Sequence, residues 1–228
     1  RLGRIVKKSS DESVFGNSSY SLAGAVYGIY SDKDCTKKIT ELTTDVKGET
    51  KEYELEVGNY YVKEITAPEN YKLNDRIYTL TVLEGMTAVV NSEDTPEKGS
   101  VSILKTSAEG STLPVKGTEY TVYKDKECTE TTGVLTVGDD GKSNVLSLYY
   151  GTYYVKETKA APGYMLDTAV HTVKLETTKT VELKLADKVI RIDLSTLAKN
   201  DKSKTDAGEH IALAEEKTEI TDTVTYKG

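Results

Sequence analysis

Three ionisable side chains recur together twice in this chain: Lys7, Glu64 and Asp94, then Lys105, Glu157 and Asp187. Each lysine extends an alternating apolar stretch, Ile5-x-Lys7 and Val101-x-Ile103-x-Lys105. Val181, Leu183, Leu185 and Asp187 likewise share one face at the end of the second set. Each glutamate closes the stretch Tyr-Tyr-Val-Lys-Glu, residues 60–64 and 153–157. A period of two puts all six groups on the inner faces of strands. A buried ammonium and carboxylate each lose several kcal/mol of hydration, and burial disfavours both charged forms. A neutral amine held against a protonated carboxyl condenses with it. The amine attacks the side-chain carbonyl, the glutamate polarises that carbonyl and shuttles the proton, water leaves and an amide remains. Held geometry supplies the effective concentration, so no external enzyme is required. The plain alternatives are a buried ion triad or three wet surface charges. A strand-end glutamate in water is the ordinary reading of one copy; two copies, each with its lysine upstream and aspartate downstream, favour the reactive one.

The elements that must position these groups are also repeated. A shift of 93 residues superposes Gly24 on Gly117, Tyr30 on Tyr123, Cys35 on Cys128, Glu64 on Glu157, Tyr71 on Tyr164 and Asp94 on Asp187. About a third of the positions between 24 and 94 are identical under that shift, with no insertion, which marks two homologous units. The lysines alone break the spacing, because Lys7 to Gly24 spans 17 residues and Lys105 to Gly117 spans 12. An insertion of this size is expected in a surface loop at little cost. The reading is one β-sandwich over 1–96, a second over 97–188, and a truncated β segment over 189–228. In the first, strands are expected near Ile5–Lys7, Val26–Tyr30 and the Glu64 stretch. A closing hairpin, Ile77–Val82 with Thr87–Ser92, is expected to turn at Glu84-Gly85. Asp94-Thr95-Pro96 ends the unit, since proline cannot continue a central strand. In the tail, Ile190 to Ala198 and Ile220 to Tyr226 alternate as two strands, too little to bury a core.

Composition agrees with an all-β class. Sixteen Tyr stand against one Phe and no Trp, which suits half-buried strands whose ring ends stay wet. The net charge of −7 argues against nucleic acid and anionic membrane surfaces as partners. No apolar run is long enough to span a bilayer. Cys35 and Cys128 occupy one position in two repeats, so two free, half-buried thiols are expected rather than a disulfide. The Asp32/Asp34 pair lacks the further oxygen ligands and glycine of a calcium loop and reads as a solvated turn. Gly138-Asp139-Asp140-Gly141 reads as a hairpin turn rather than a metal site. Only His171 and His210 are present, and there is no metal-ligand cluster, phosphate loop or nucleophile elbow. A turnover enzyme, a metal and a cofactor are therefore not expected. The chain opens on Arg1 rather than Met and ends on Tyr-Lys-Gly, which reads as a piece of something longer.

The run Gly-(Thr/Asn)-Tyr-Tyr-Val-Lys-Glu, followed by Ala-Pro-x-x-Tyr or Ala-Pro-Gly-Tyr, resembles the glutamate box of Cna protein B-type domains. These have the SpaA-like, prealbumin-like fold and serve as stalk modules of Gram-positive pilins and adhesins. The resemblance covers about 1–188. It implies Ig-like/prealbumin-like sandwiches, each closed by an intramolecular Lys–Asp or Lys–Asn isopeptide bond that the glutamate catalyses. Residue by residue, the implied cross-links are Lys7 to Asp94, assisted by Glu64, and Lys105 to Asp187, assisted by Glu157. Lys8 beside Lys7, and Asn91 near Asp94, are the alternatives. Strand parity with Ile5 favours Lys7, and the 93-residue shift favours Asp94. The second repeat departs from the family in closing on Asp187-Lys188-Val189, where proline is usual.

The tail is similar to the start of a VaFE-type, ester-bond surface domain in Thr196-Leu197-Ala198 and Asp222-Thr223-Val224-Thr225-Tyr226. That likeness implies an ester-forming Thr196 and an assisting Asp222, with the acyl partner beyond residue 228. The function implied is a covalently locked stalk segment of a cell-wall-anchored adhesin or pilin, extracellular on a Gram-positive bacterium. Its partners would be neighbouring domains of the same surface protein, and the cell wall through a sorting signal outside this chain. The alternative is a module binding host extracellular matrix, glycan or a cell-surface ligand; no aromatic cluster points to it.

Overall fold

The structure is a computed structural model and describes residues 1–191, 193–199 and 221–227. Among the described residues there is no α-helix, and the one short 3-10 turn is Glu12–Val14. Among the described residues no helix is long and apolar enough to cross a membrane.

The first half contains β1 (Leu2–Ser9), β2 (Val26–Tyr30), β3 (Lys38–Thr43), β4 (Tyr53–Glu54), β5 (Gly58–Thr66), β6 (Ile77–Val82) and β7 (Thr87–Asp94). They make two sheets, ordered β4-β1-β7 and β3-β2-β5-β6. Between them lies a core of Ile5, Tyr27, Ile29, Leu42, Leu55, Val62, Leu80, Val82 and Val90. The inward positions alternate with exposed ones along β6 and β7, as the period of two demands. The second half repeats the plan with β8 (Lys98–Ser107), β9 (Glu119–Tyr123), β10 (Thr131–Thr136), β11 (Leu146–Tyr149), β12 (Gly151–Lys159), β13 (Val170–Leu175) and β14 (Thr180–Asp187). Its sheets are ordered β11-β8-β14 and β10-β9-β12-β13. Its core is Val101, Ile103, Tyr120, Val122, Leu135, Val137, Val155, Val173 and Leu175, with Tyr150 and Tyr153.

Two features bring the first and last strands of each half together. β1 and β7 are parallel neighbours, with Lys7 opposite Ser92 and Ser9 opposite Asp94. β8 and β14 repeat the register, with Lys105 opposite Leu185 and Ser107 opposite Asp187. The expected hairpin at Glu84-Gly85 is not one. β6 pairs with β5 in the four-stranded sheet, whereas β7 pairs with β1 in the other. The turn arches across the core instead of folding a strand onto its neighbour. Alternating apolarity marks which face of a strand is buried, but not which edge is paired, so the sequence pattern fits either connection.

Cys35 and Cys128 are unpaired and half-buried. Both sit in the left-handed region, at φ 52° and 57°. Each of their loops is closed by an aspartate. Asp32 accepts from the amides of Thr36 and Lys37, and Asp125 from those of Thr129 and Glu130. β15 (Asp193–Lys199) and β16 (Thr221–Lys227) form a two-stranded antiparallel sheet. The sequence reading began the first of these at Ile190; that residue precedes the strand, and residue 192 lies outside the described residues.

Candidate functional site

Parity along β1 turns Ile5 and Lys7 inward and leaves Lys8 exposed. Parity along β7 turns Val90, Ser92 and Asp94 inward and leaves Asn91 exposed. β5 and β12, in the opposite sheet, bury Val62 with Glu64 and Val155 with Glu157. Lys7, Glu64 and Asp94 therefore meet across the first core, and Lys105, Glu157 and Asp187 across the second. All six are at most 3% exposed. Lys8 and Asn91 take no part.

In the first cluster Lys7 Nζ donates to Glu64 Oε1 at 2.5 Å and to Tyr27 Oη at 2.8 Å. It also touches Asp94 Oδ2. That approach lies off the hydrogen-bonding direction, and neither Asp94 oxygen has a hydrogen-bond partner. The nitrogen thus commits two hydrogens elsewhere and holds the Asp94 carboxyl in contact without a hydrogen bond to it. In the second cluster Lys105 Nζ donates to Asp187 Oδ1 and to Tyr120 Oη, and Glu157 Oε2 lies 3.7 Å away. Glu157 Oε1 and Asp187 Oδ2 are buried without partners. The two carboxyls face each other, and a proton shared between them would satisfy both oxygens.

The charge balance explains where that proton belongs. Three buried groups with one positive and two negative charges leave one uncompensated charge, which is costly in a dry core. Burial pushes the Asp94 carboxyl up to about 6, with the Glu64 charge beside it adding to the rise and Lys7 opposing it. Burial pushes Glu157 up to about 7, against the Asp167 amide and Lys105 and helped by Asp187. Lys105 opposes that rise from 3.7 Å, because it stands closer to Asp187. Each cluster therefore holds one carboxyl that stays protonated in mildly acidic water, in a site that excludes solvent.

Three supports of the clusters escaped the sequence reading. Tyr27 and Tyr120, 93 residues apart, present their phenol oxygens to the lysines. Burial raises both phenols above their ordinary range, so they stay neutral. Tyr27 donates onward to Ser92 Oγ at 3.0 Å; Leu185 stands at the matching position of the second repeat. Next, the backbone amides of Asn74 and Asp167 each donate to the glutamate Oε2 at 2.9 Å, fixing the carboxyl from the loop after the Ala/Pro turn. Finally, Gly48 and Gly141 pack on the carbonyls of Lys7 and Lys105. A Cβ there would sit 2.3 Å and 2.7 Å from those oxygens, and both residues have φ near +80°, so no other residue fits. The 93-residue shift was the signal available for all three; buried Tyr hydroxyls and turn amides carry no pattern of their own.

Thr196 and Asp222 lie on β15 and β16, Thr196 opposite Val224 and Asp222 opposite Ala198. Among the described residues these strands pair only with each other.

The repeat of sandwich and cluster coincides with a family match. The model of the SpaA prealbumin-like fold domain matches twice, at residues 14–96 and 99–189. The chain belongs to this family. No curated protein sequence matches it. Among solved structures it is similar to the Bacillus anthracis TIE protein, at 22% identity and TM-score 0.65, over 100% of this chain and 43% of that one. It also matches the C-terminal fragment of the pilus adhesin SpaC from Lactobacillus rhamnosus GG, at 14% identity and TM-score 0.49, covering 83% and 97%. GBS52, the minor pilin of Streptococcus agalactiae, follows at 18% identity and TM-score 0.36, covering 84% and 97%. The chain spans less than half the length of the TIE protein, and that likeness establishes the fold alone.

Proposed function

We propose that this chain is a stalk segment of a cell-wall-anchored adhesin or pilin of a Gram-positive bacterium, and that each sandwich locks itself with an isopeptide bond. Lys7 joins Asp94 with Glu64 as proton shuttle, and Lys105 joins Asp187 with Glu157. The observation that carries the reading is the solvent-free Lys–Glu–Asp cluster bridging the first and last strands, built twice.

The reaction follows from the charge states. The lysine passes one proton to the carboxylate it is bonded to, Glu64 in the first cluster and Asp187 in the second, leaving a neutral amine, a protonated glutamate and a protonated aspartate in each. Nζ attacks Cγ of the aspartate while the glutamate's proton supports the carbonyl oxygen. The tetrahedral carbon then expels one oxygen as water, and the proton left on nitrogen returns to the glutamate. One C–N bond forms, one C–O bond breaks, and no cofactor enters. The product is a neutral amide, which removes the buried charges that made the unreacted cluster costly.

A pull entering at Arg1 and leaving past Asp94 then runs from β1 to β7 through the new bond and bypasses residues 8–93. Such a device suits a tension-bearing stalk. The proposed units are 1–96, 97–188 and 189–228, the last opening a further β domain in which Thr196 forms an ester assisted by Asp222. Family membership and the pilins and adhesins among the similar structures support the cell-surface setting. The deciding experiment is the intact mass of the folded chain, expected to be two waters below the sequence mass. A mass equal to the sequence value rejects the cross-links. Loss of ammonia in place of a water names Asn91 as the acyl donor.

A further inference from the structure

The loop between Lys7 and Gly24 is only partly in solvent: Phe15 and Gly16 are exposed, whereas Asp11, Asn17, Ser19 and Tyr20 are half-buried. They lie between the two sandwiches. Asn70 Nδ2 donates to Ser19 O at 2.7 Å and Tyr71 packs edge-on to Tyr20, with centroids 5.6 Å apart, so the loop is fastened to the first sandwich. Its other side is fastened to the second. Asn17 Nδ2 donates to Tyr150 O at 2.9 Å, and the Tyr150 amide donates to Tyr20 Oη at 2.8 Å. Tyr20 Oη donates in turn to Glu97 O at 2.5 Å, in the connection between the sandwiches. The Tyr20 ring stacks on Tyr150 at 5.8 Å and 14°, and stands edge-on to Tyr149 at 5.7 Å and 86°. Tyr149 Oη donates to Asp11, Tyr150 Oη donates to Glu97 Oε2 at 3.0 Å, and Lys98 Nζ sits 4.4 Å above the Tyr149 ring. One half-buried tyrosine thus touches three others and satisfies a backbone amide and a backbone carbonyl.

We infer that residues 9–22 are a docking element that fixes the following sandwich rigidly on the first, and that its partner is a sandwich presenting a Tyr-Tyr pair just before its glutamate strand. Neighbouring domains move relative to each other by default when their interface is small and polar. Here stacked aromatic rings and four hydrogen bonds between residues 11–20 and residues 97–150 oppose that motion. The contact also has a direction. At the positions matching Tyr149 and Tyr150 the first repeat has Glu56 and Val57, so it lacks the receiving pair. The second repeat's loop, 107–117, is five residues shorter and has no aromatic residue, so it lacks the docking arm. Only the order found in this chain brings arm and receptor together, and the junction after residue 188 has no such arm. This inference stands whether or not the isopeptide bonds form.

Each sandwich carries one native thiol, Cys35 or Cys128. Spin labels on both, in the full chain, read the distance between the sandwiches. The wild-type chain is expected to give a single narrow distance. Tyr20→Ala should lose it to a broad distribution, and Tyr20→Phe, which deletes only the hydroxyl, should fall between. Replacing Tyr149 and Tyr150 by the Glu and Val of the first repeat should broaden it as Tyr20→Ala does. Phe15→Ala, on the same loop but 89% exposed, should leave it narrow. Circular dichroism of each variant checks that both sandwiches remain folded; Tyr20→Phe carries the test if Tyr20→Ala does not fold. A narrow distance in the Tyr20 variants, or a broad one in the wild type, overturns the inference.

Discussion

Replacing Glu64 by glutamine keeps the shape of the side chain and removes its charge. The Asp94 carboxyl is held up by burial first and by the Glu64 charge second. Without that charge Asp94 ionises more readily, forms an ordinary ion pair with Lys7, and ceases to be an electrophile. The proton shuttle is lost as well, so the first bond should not form. The bond closes a loop of about 90 residues, for which the chain-entropy estimate gives about 4–5 kcal/mol. Glutamine keeps an acceptor for the Asn74 amide, but its NH2 group faces the Lys7 ammonium. If the cross-link formed in neither chain, losing the charge-assisted hydrogen bond alone would cost about 1.5–3 kcal/mol. For a sandwich of this size, each kcal/mol moves the midpoint by about 4–8 °C. The first sandwich should therefore melt roughly 25 °C lower in the variant, against roughly 10 °C if only the hydrogen bond were lost. Calorimetry with intact mass on the same sample separates the cases. The mass should show one water missing instead of two, and the transition of the second sandwich should stay in place. Two waters still missing would refute the role of Glu64. One water missing with a midpoint within a few degrees of wild type would refute the stabilising role of the bond.

Glu157→Ala should abolish the second cross-link and leave the first, because each cluster is sealed in its own core; loss of both in the mass spectrum would contradict two independent units. Condensation needs the extra proton on the carboxyl pair, so a rise in pH should slow it. For protein refolded from an unreacted, denatured state, the first bond should form more slowly above about pH 6 and the second above about pH 7, read as mass loss against time; rates that rise with pH would refute the assignment. Tyr27→Phe leaves one hydrogen of the buried Lys7 ammonium unpartnered, at about 1–3 kcal/mol, and should slow the first bond while the second keeps its rate; equal rates in variant and wild type would remove Tyr27 from the mechanism. A chain continued past residue 228 should show a further mass deficit if Thr196 forms an ester there, and Thr196→Ala should abolish it; no such deficit in the longer chain would refute that reading.

The sequence alone determined the class, the repeat and the membership of the clusters. Period-two alternation fixes which face of a strand is buried, so it selects Lys7 over Lys8 and sets Glu64 and Glu157 inward without reference to any neighbour. The 93-residue shift then pairs each glutamate with its aspartate. Strand pairing was decided only in three dimensions, because backbone hydrogen bonds are the same for every sequence. Hence the parallel pairing of β1 with β7 was not legible, nor was the arch at Glu84-Gly85. Protonation also waited for the structure. Two clusters of identical composition differ because Lys7 bonds Glu64 whereas Lys105 bonds Asp187, and a distance of that kind decides which carboxyl keeps its proton. The least legible stretch was the loop from Ser9 to Leu22. Its polar composition marks it as surface, and it is surface in the first sandwich taken alone. Only the second sandwich, folded against Tyr20, turns it into an interface.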